Sequence, residues 1–213
     1  MASERAPHEL RGPRRAPRGD ERLRDADRTR RKLLAAGLEE FAAHGFAGTR
    51  VADIARRADV DKQLISYYFG GKAGLYTEVM RGRLAQETLV NDPDLPLSEI
   101  AVRYLRHNLS DPTMAKLLLW AGLANSAEPL DTLPAGSLDL SSMERRRRRG
   151  ELADDLDPAA VLLLIIGAVN APVALPQIVE AIFGVSPDAP EFEERYAEQL
   201  RRIVDRLSGP GPS

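Results

Sequence analysis

Apolar residues recur along most of this chain with the period of an α-helix. In the segment 27–44, Leu34, Leu38 and Phe41 fall on one face, and Gly45 follows as a stop signal. The same spacing predicts further long helices over residues 72–89, 97–109, 112–125, 157–173 and 191–207. The pattern therefore predicts an all-α protein.

A pattern of two short helices joined by a tight turn occupies residues 49–69. Val51 and Ile54 give the first short helix an apolar face, and Thr49 is expected to cap it through its hydroxyl. Asp59 lies where the turn needs a left-handed residue, a conformation that Asp tolerates better than most residues. On spacing alone, such a helix pair also occurs by chance in helical proteins.

The second short helix leaves polar side chains for another molecule. Asp61 is expected to cap it, while Leu64 or Ile65 and then Phe69 return to the core. The outward face then carries Lys62, Gln63, Ser66 and Tyr67. This is the arrangement of a helix-turn-helix, whose second helix enters the major groove of DNA.

The segment from Arg30 to Leu75 resembles a known family. The matching positions are Leu33, Leu34, Phe41, Gly45, Phe46, Thr49, Val51, Ile54, Ala55, Ala58, Val60, Lys62, Ile65, Tyr67, Tyr68, Phe69, Lys72 and Leu75. In this order they resemble the TetR family of transcriptional regulators. The resemblance implies an all-α homodimer with an N-terminal three-helix DNA-binding domain and a larger C-terminal domain that binds a small-molecule inducer.

The resemblance also assigns DNA contacts to individual residues. It implies phosphate contacts by Thr49 and Arg50 before the first short helix, and by Tyr68 and Lys72 after the second. The outward face of the recognition helix is given to Lys62, Gln63, Leu64, Ser66 and Tyr67. The chemistry agrees, because Lys and Tyr can hold phosphate oxygens, Lys can also pair with guanine, and Gln can pair with an adenine edge.

Three residues depart from the family's pattern. Asp59 replaces the usual turn glycine, Asp61 replaces the usual Ser or Thr cap, and Ser66 stands where the family generally has Tyr. The two carboxylates bring negative charge near the DNA face, and Ser66 shortens the reach of the recognition helix. Base preference is therefore expected to depend on Gln63 and Tyr67.

Composition and charge agree with this assignment. The chain has no cysteine for a disulfide framework. It shows no apolar signal segment at its N-terminus, and the run 159–175 is too short and too polar for a membrane span. We therefore expect a cytoplasmic protein with no membrane partner. Residues 1–80 carry 16 Lys and Arg against 12 Asp and Glu, while residues 81–213 carry 14 against 20, so the basic excess lies with the helix-turn-helix.

These patterns divide the chain into four segments. We predict a disordered Arg/Pro-rich arm over 1–24, the DNA-binding domain over 25–72, the ligand-binding and dimerisation domain over 73–208, and a disordered tail over 209–213. The arginines of the arm either follow DNA or have no role. The resemblance implies that the helix beginning at Lys72 is a lever, whose movement on ligand binding changes the separation of the two recognition helices.

The apolar helices of the C-terminal domain predict a mainly hydrophobic ligand pocket. Trp120 lies in a segment that is apolar nearly all round, so it is either a core residue or a pocket residue. Asn170 is a pocket group, an interface residue or a helix-bending residue beside Pro172. The pocket candidates are Met80, Leu84, Leu119, Trp120, Leu123, Met143 and Asn170. No cofactor is expected.

Two C-terminal helices predict a dimer interface. The helix over 157–173 is the most apolar in the chain, and the last helix shows helical apolar spacing. An exposed surface of this kind would aggregate, so a second subunit is expected to bury it in a four-helix arrangement, as the family does. The predicted interface residues are Leu162, Ile166, Val169, Tyr196, Leu200 and Ile203.

Two rival classes lack support. The chain has no Gly-rich phosphate loop, no cysteine nucleophile and no spaced His/Glu pair, so we expect no catalytic residue and no metal site. An architectural DNA-binding protein without ligand control has no need for so many apolar helices. The five arginines 145–149 are interpreted as a solvated helix end with local charge pairing, with DNA contact as the alternative. The prediction is a ligand-responsive repressor that binds a palindromic double-stranded DNA operator.

Overall fold

The computed structural model describes residues 19–87, 92, 94–124 and 140–207. These residues are mainly helical and contain no β-strand, which confirms the predicted all-α fold. The helices of this part are α1 (Gly19–Gly48), α2 (Val51–Ala58), α3 (Gln63–Phe69), α4 (Lys72–Glu87), α5 (Leu97–Ser110), α6 (Thr113–Leu123), α7 (Ser141–Arg148), α8 (Pro158–Ala174), α9 (Pro176–Phe183) and α10 (Pro190–Asp205). The predicted loop over 126–138, the C-terminal tail, and residues 1–18 of the predicted arm lie outside the described residues.

Two helices differ from the sequence prediction. Helix α1 begins at Gly19, eight residues before the predicted start, so residues 19–24 of the predicted arm are helical. Helix α9 was not predicted at all. It begins with Pro176, because proline is preorganised for the first position of a helix, and it ends at Gly184 in a left-handed conformation.

The first core joins α6 to the helix-turn-helix. Its buried members come from α1, α2, α3 and α4, and also from α6, which belongs by sequence to the C-terminal domain. They are Leu33, Ala36, Phe41, Ile54, Ala55, Ala58, Ile65, Leu75, Tyr76, Val79, Met80, Met114 and Leu117. Helix α6 therefore packs directly on the DNA-binding part of the chain.

The second core lies within the C-terminal domain. It is formed by α5, α7, α8 and α10 together with the loop after α7. Its buried members are Leu97, Ala101, Val102, Leu105, Met143, Leu152, Val161, Ile165, Val169, Ala197, Leu200 and Val204. One face of the very apolar helix α8 is buried in this core.

Helix α8 contains a proline whose effect is compensated by its neighbours. Pro172 lacks an N–H group, so it cannot donate to the carbonyl of Ala168 four residues earlier. The hydroxyl of Tyr196 in α10 donates to this oxygen at 2.9 Å. The amide of Asn108 in α5 donates to the carbonyl of Val169 at 3.2 Å. Both flanking helices thus bind α8 at its proline.

We expect Tyr196→Phe to lower the free energy of unfolding by about 1 to 2 kcal/mol, because it leaves the carbonyl of Ala168 without a donor. Urea unfolding at one fixed protein concentration measures this effect. In a Pro172→Ala background the backbone N–H returns, and Tyr196→Phe should then cost little. An equal cost in both backgrounds would contradict this account.

No single described helix is long and apolar enough to cross a membrane. Helices α8 and α9 together would meet the length and composition requirement, but they are bent by 89° at the break between them. The described residues also contain no group of three or more His, Cys, Asp or Glu side chains that could hold a metal ion.

Candidate nucleic-acid interface

The turn between α2 and α3 has the predicted geometry. Asp59 adopts a left-handed conformation, with φ 54° and ψ 53°. The carboxylate of Asp61 accepts a hydrogen bond from the backbone N–H of Gln63 at 2.7 Å. Asp61 therefore stabilises the start of the recognition helix α3 as predicted, and neither Asp disturbs the fold of the turn.

Thr49 does not cap α2, which corrects the sequence prediction. The flanking residue is Arg50, and α2 has no side-chain cap. The hydroxyl of Thr49 is buried, and its single hydrogen is shared between the carbonyl oxygens of Gly45 at 2.7 Å and Glu40 at 3.0 Å. The side chain of Thr49 thus faces the protein, so in this conformation it offers no hydroxyl to a phosphate.

Lys72 is also used within the protein. Its ammonium donates to the carbonyl oxygens of Phe46 at 2.8 Å and Thr49 at 3.0 Å. It also lies 4.4 Å from the centre of the Phe46 ring. Because two of its three donor hydrogens hold the segment between α1 and α2, Lys72 positions this segment, and at most one donor remains for DNA.

The recognition helix presents one polar face on a buried apolar support. Lys62, Gln63, Ser66 and Tyr67 are exposed. Tyr67 is 78% exposed, whereas its neighbour Ile65 is fully buried at 0%. Leu64 and Tyr68 are partly buried against the first core, so their contacts with DNA are restricted to their outer edges. The ring of Tyr68 packs edge-on against Tyr67 at 5.0 Å, which supports Tyr67 from behind.

Several cations near the recognition helix are neutralised by carboxylates. Arg56 pairs with Asp53 at 2.7 Å. Arg57 bridges Glu40 at 2.7 Å and Glu39 at 2.5 Å, and these bonds, chiefly the one to Glu40, raise the pKa of Arg57. By contrast, the exposed side chains of Arg50 and Lys62 have no partner in the part of the chain that the structure describes.

Trp120 links the two parts of the chain, a contact that neither of its two sequence interpretations included, and its role in a pocket stays a prediction. Its indole N–H donates to the carbonyl of Ala42 in α1 at 3.2 Å. Its ring lies against Gly45, where α1 is kinked with φ 67° and ψ 174°, a conformation essentially restricted to glycine. A Cβ atom at Gly45 would lie 3.2 Å from the Trp120 ring. The kink and the indole thus fit together.

An ion pair forms a second link between the two parts. Arg83 in α4 donates to the carboxylate of Asp111, which precedes α6. The same carboxylate accepts from the backbone N–H of Thr113 at 3.2 Å, so it caps α6 as predicted. Burial alone would raise the pKa of Asp111, but the hydrogen bonds from Thr113 and Arg83 lower it to about 2. The pair is therefore ionised at neutral pH.

The other predicted pocket residues are not brought together in the described residues. Met80 and Leu84 belong to the first core, and Met143 belongs to the second. Asn170 donates to the carbonyl of Ile166 at 2.7 Å within its own helix. Leu119 is partly buried, and Leu123 is 81% exposed. Two surface clefts of about 260 and 200 Å³ lie elsewhere and contain none of these residues.

The predicted interface residues divide between the core and the surface. Val169 and Leu200 are 5% and 4% exposed, so they are core residues. Tyr196 is half-buried and donates inward, burial raises its pKa, and Leu162 is partly buried against the second core. The predicted residues Ile166 and Ile203 are 40% and 58% exposed, and Leu163 and Leu164, which the prediction did not include, are 70% and 69% exposed. We define the apolar face as the exposed apolar residues Leu163, Leu164 and Ile166 of α8 together with Ile203 of α10.

The five arginines have different environments. Arg146 is buried and binds the carboxylate of Glu151 at 2.6 Å and the carbonyl of Leu95 at 2.8 Å. Arg147 pairs with Glu144 at 3.0 Å, in agreement with the predicted local charge pairing. Arg146 therefore connects segments inside the protein, whereas the sequence interpretation placed the five arginines at a solvated helix end.

Two models of known protein families match consecutive parts of this chain. Residues 33–79 match the family of bacterial regulatory proteins called the tetR family, and residues 96–206 match the tetracyclin repressor-like C-terminal domain. The repressor SCO4008 of Streptomyces coelicolor, an HTH-type transcriptional repressor, is 27% identical over 190 residues, which cover 86% of this chain and 98% of the relative. The HTH-type transcriptional regulator RutR of Escherichia coli K12 is 28% identical over 197 residues, covering 86% and 92%.

A solved structure is similar over nearly its whole length. The crystal structure of SCO4942 from Streptomyces coelicolor, a proposed transcriptional regulator, superposes with a TM-score of 0.68 and 30% sequence identity. The match covers 86% of this chain and 99% of SCO4942.

Proposed function

The chain belongs to the TetR family of bacterial regulatory proteins, and on this premise we propose that it binds a palindromic DNA operator as a homodimer. A mainly hydrophobic small molecule would release it, so that it acts as a repressor in the cytoplasm. Its relatives are transcriptional regulators, and the chain is not an enzyme.

The exposed polar face of α3 carries the DNA-binding part of this proposal. Tyr67 is 78% exposed, whereas the nearby Ile65 is fully buried. Exposing the aromatic ring to water is unfavourable, and a contact with a base or a phosphate would offset this cost on binding. Gln63 and Lys62 lie on the same exposed face and have the chemistry to pair with adenine and guanine edges. The Asp61 bond to the N-terminus of α3 holds this face in place.

Tyr67→Ala should weaken operator binding by about 2 kcal/mol per dimer, roughly 30-fold, because each half-site loses one contact. The probe is a palindromic duplex that the wild-type protein itself enriches from a random-sequence library, and the readout is a gel shift. Since Tyr67 is exposed, the melting temperature should not change. Equal affinity of Tyr67→Ala and wild type would contradict the assigned role of α3.

Lys72→Ala is the contrasting variant in the same experiment. It removes two internal hydrogen bonds as well as a charge near DNA. We therefore expect it to lower both the melting temperature and the operator affinity. This separates a residue that positions the interface from a residue that contacts the operator.

The contacts between α6 and the DNA-binding part support ligand control. A ligand that displaces α6 would move Trp120 against Ala42 and Gly45, and these residues precede the segment held by Thr49 and Lys72. Trp120 is the sole tryptophan of the chain, so its fluorescence reports on this contact. In a screen of apolar small molecules, compounds that shift the Trp120 emission should also release the operator. Compounds that bind and stabilise the protein without changing operator affinity would contradict ligand control.

A further inference from the structure

The cations of the DNA-binding part fall into two groups. The first group is bound to carboxylates or carbonyls, namely Arg28, Arg30, Arg56, Arg57 and Lys72. The second group is exposed and has no hydrogen-bond or ion-pair partner among the described residues, namely Arg24, Arg31, Lys32, Arg50 and Lys62. An exposed cation that no protein group neutralises is available to phosphate.

Three of these available cations lie outside the helix-turn-helix. Arg24, Arg31 and Lys32 are in the N-terminal part of α1, before residues 33–79 that match the family. The segment 24–32 contains five Lys or Arg against two Asp. The structure makes this segment a continuous helix with the rest of α1, although the sequence pattern predicts that α1 begins only at residue 27.

The helical period gathers the cations on one side of α1. At about 100° per residue, Arg24, Arg28 and Arg31 fall within about 60° of one another, and Lys32 lies next to them. The buried Leu33 lies on the opposite side. The exposed side of α1 is therefore a cationic stripe, which we define as Arg24, Arg28, Arg31 and Lys32. Arg28 is only weakly paired, at 3.4 Å from Asp25.

The position of Arg30 shows which part of α3 lies at the level of this segment of α1. Its guanidinium lies 5.4 Å from the centre of the Phe69 ring, the last residue of α3, and it binds Glu78 in α4 at 2.6 Å. The segment that carries the stripe therefore lies at the level of the C-terminal end of α3, while the stripe residues themselves lie about 100° to 160° around α1 from Arg30. From Arg24 to Lys32 it extends over about 12 Å of helix.

We propose that the cationic stripe of α1 binds DNA phosphates beyond the bases that α3 faces. The operator would then be longer than the two major-groove half-sites. This inference rests on the proposed DNA-binding function. The phosphate contacts would add affinity and salt dependence without reading base sequence.

The test compares two lengths of the duplex that the wild-type protein enriches. The short duplex ends at the outer edges of the two half-sites, and the long duplex adds about one helical turn on each side. The variant Arg31→Gln with Lys32→Gln removes four charges per dimer. The matched control, Arg148→Gln with Arg149→Gln, removes the same number from exposed positions in the C-terminal domain.

On the long duplex, the Arg31→Gln/Lys32→Gln variant should reduce the slope of log affinity against log salt by about 3 to 4. On the short duplex, it should bind like the wild type, and the control should match the wild type on both. Equal slopes on the long duplex, an equal loss on both duplexes, or the same loss in the control would overturn the inference alone. If the wild type enriches no duplex, the proposed function fails and the inference fails with it.

Discussion

Gly74→Ala should strongly weaken operator binding and leave the proposed dimer intact. Gly74 lies in the first turn of α4, directly after the recognition helix. A Cβ atom at this position would lie 1.8 Å from the carbonyl oxygen of Phe69 and 2.9 Å from its carbonyl carbon. Both are backbone atoms, so the end of α3 must move away from α4 to make room. The expected cost is about 3 kcal/mol or more.

This movement would displace the polar face of α3 from its support, because Tyr67 lies only two residues before Phe69. We expect a loss of affinity of roughly 100-fold or more in a gel shift. Gly82→Ala is the matched control, since it lies in the same helix with no atom within 4 Å of its Cβ position. That change should stabilise α4 slightly, by about 1 kcal/mol. Normal binding by Gly74→Ala would show that α3 and α4 can separate freely.

Leu164→Glu should convert the proposed dimer to a monomer. Leu164 is 69% exposed, so the substitution does not disturb the core of a single chain. In a two-fold dimer the same residue enters the interface twice. Losing two buried leucines and burying carboxylates should weaken association by roughly 4 kcal/mol or more. Sedimentation velocity at micromolar protein concentration measures this directly.

Operator binding should fall with the dimer, because a monomer can occupy only one half-site. Leu123→Glu makes the same chemical change on α6, at a position that is 81% exposed and outside the apolar face. This control should remain dimeric. If Leu164→Glu sediments as a dimer, the apolar face of α8 and α10 is not the interface.

The helices and the helix-turn-helix could be predicted because their signals are local. Asp59 and Asp61 have the predicted conformation and capping bond, and Asp111 and Asp157 cap α6 and α8 as predicted. In each case the decisive atoms lie within a few residues in the sequence. The start of α1 was mispredicted because residues 19–26 have few apolar residues to mark a helical face.

The local sequence pattern could not predict which face of an apolar helix is buried. Helix α8 has apolar residues on all sides, so its period does not distinguish Val169, which is buried, from Leu163 and Leu164, which are exposed. Packing against α5 and α10 makes that choice. The prediction therefore included Ile166 and Ile203 of the apolar face but not Leu163 and Leu164.

The sequence by itself determined the all-α fold, the two short helices of the helix-turn-helix, and the outward position of Gln63 and Tyr67. Helical period and capping act over a few residues, so these features are visible in the sequence. Only the tertiary structure decided which polar groups remain free. Lys72 is occupied by carbonyls 23 and 26 residues away, and Trp120 by a carbonyl 78 residues away. Such distant partners leave no periodic trace in the chain, so the availability of a side chain for DNA or ligand depends on the assembled fold.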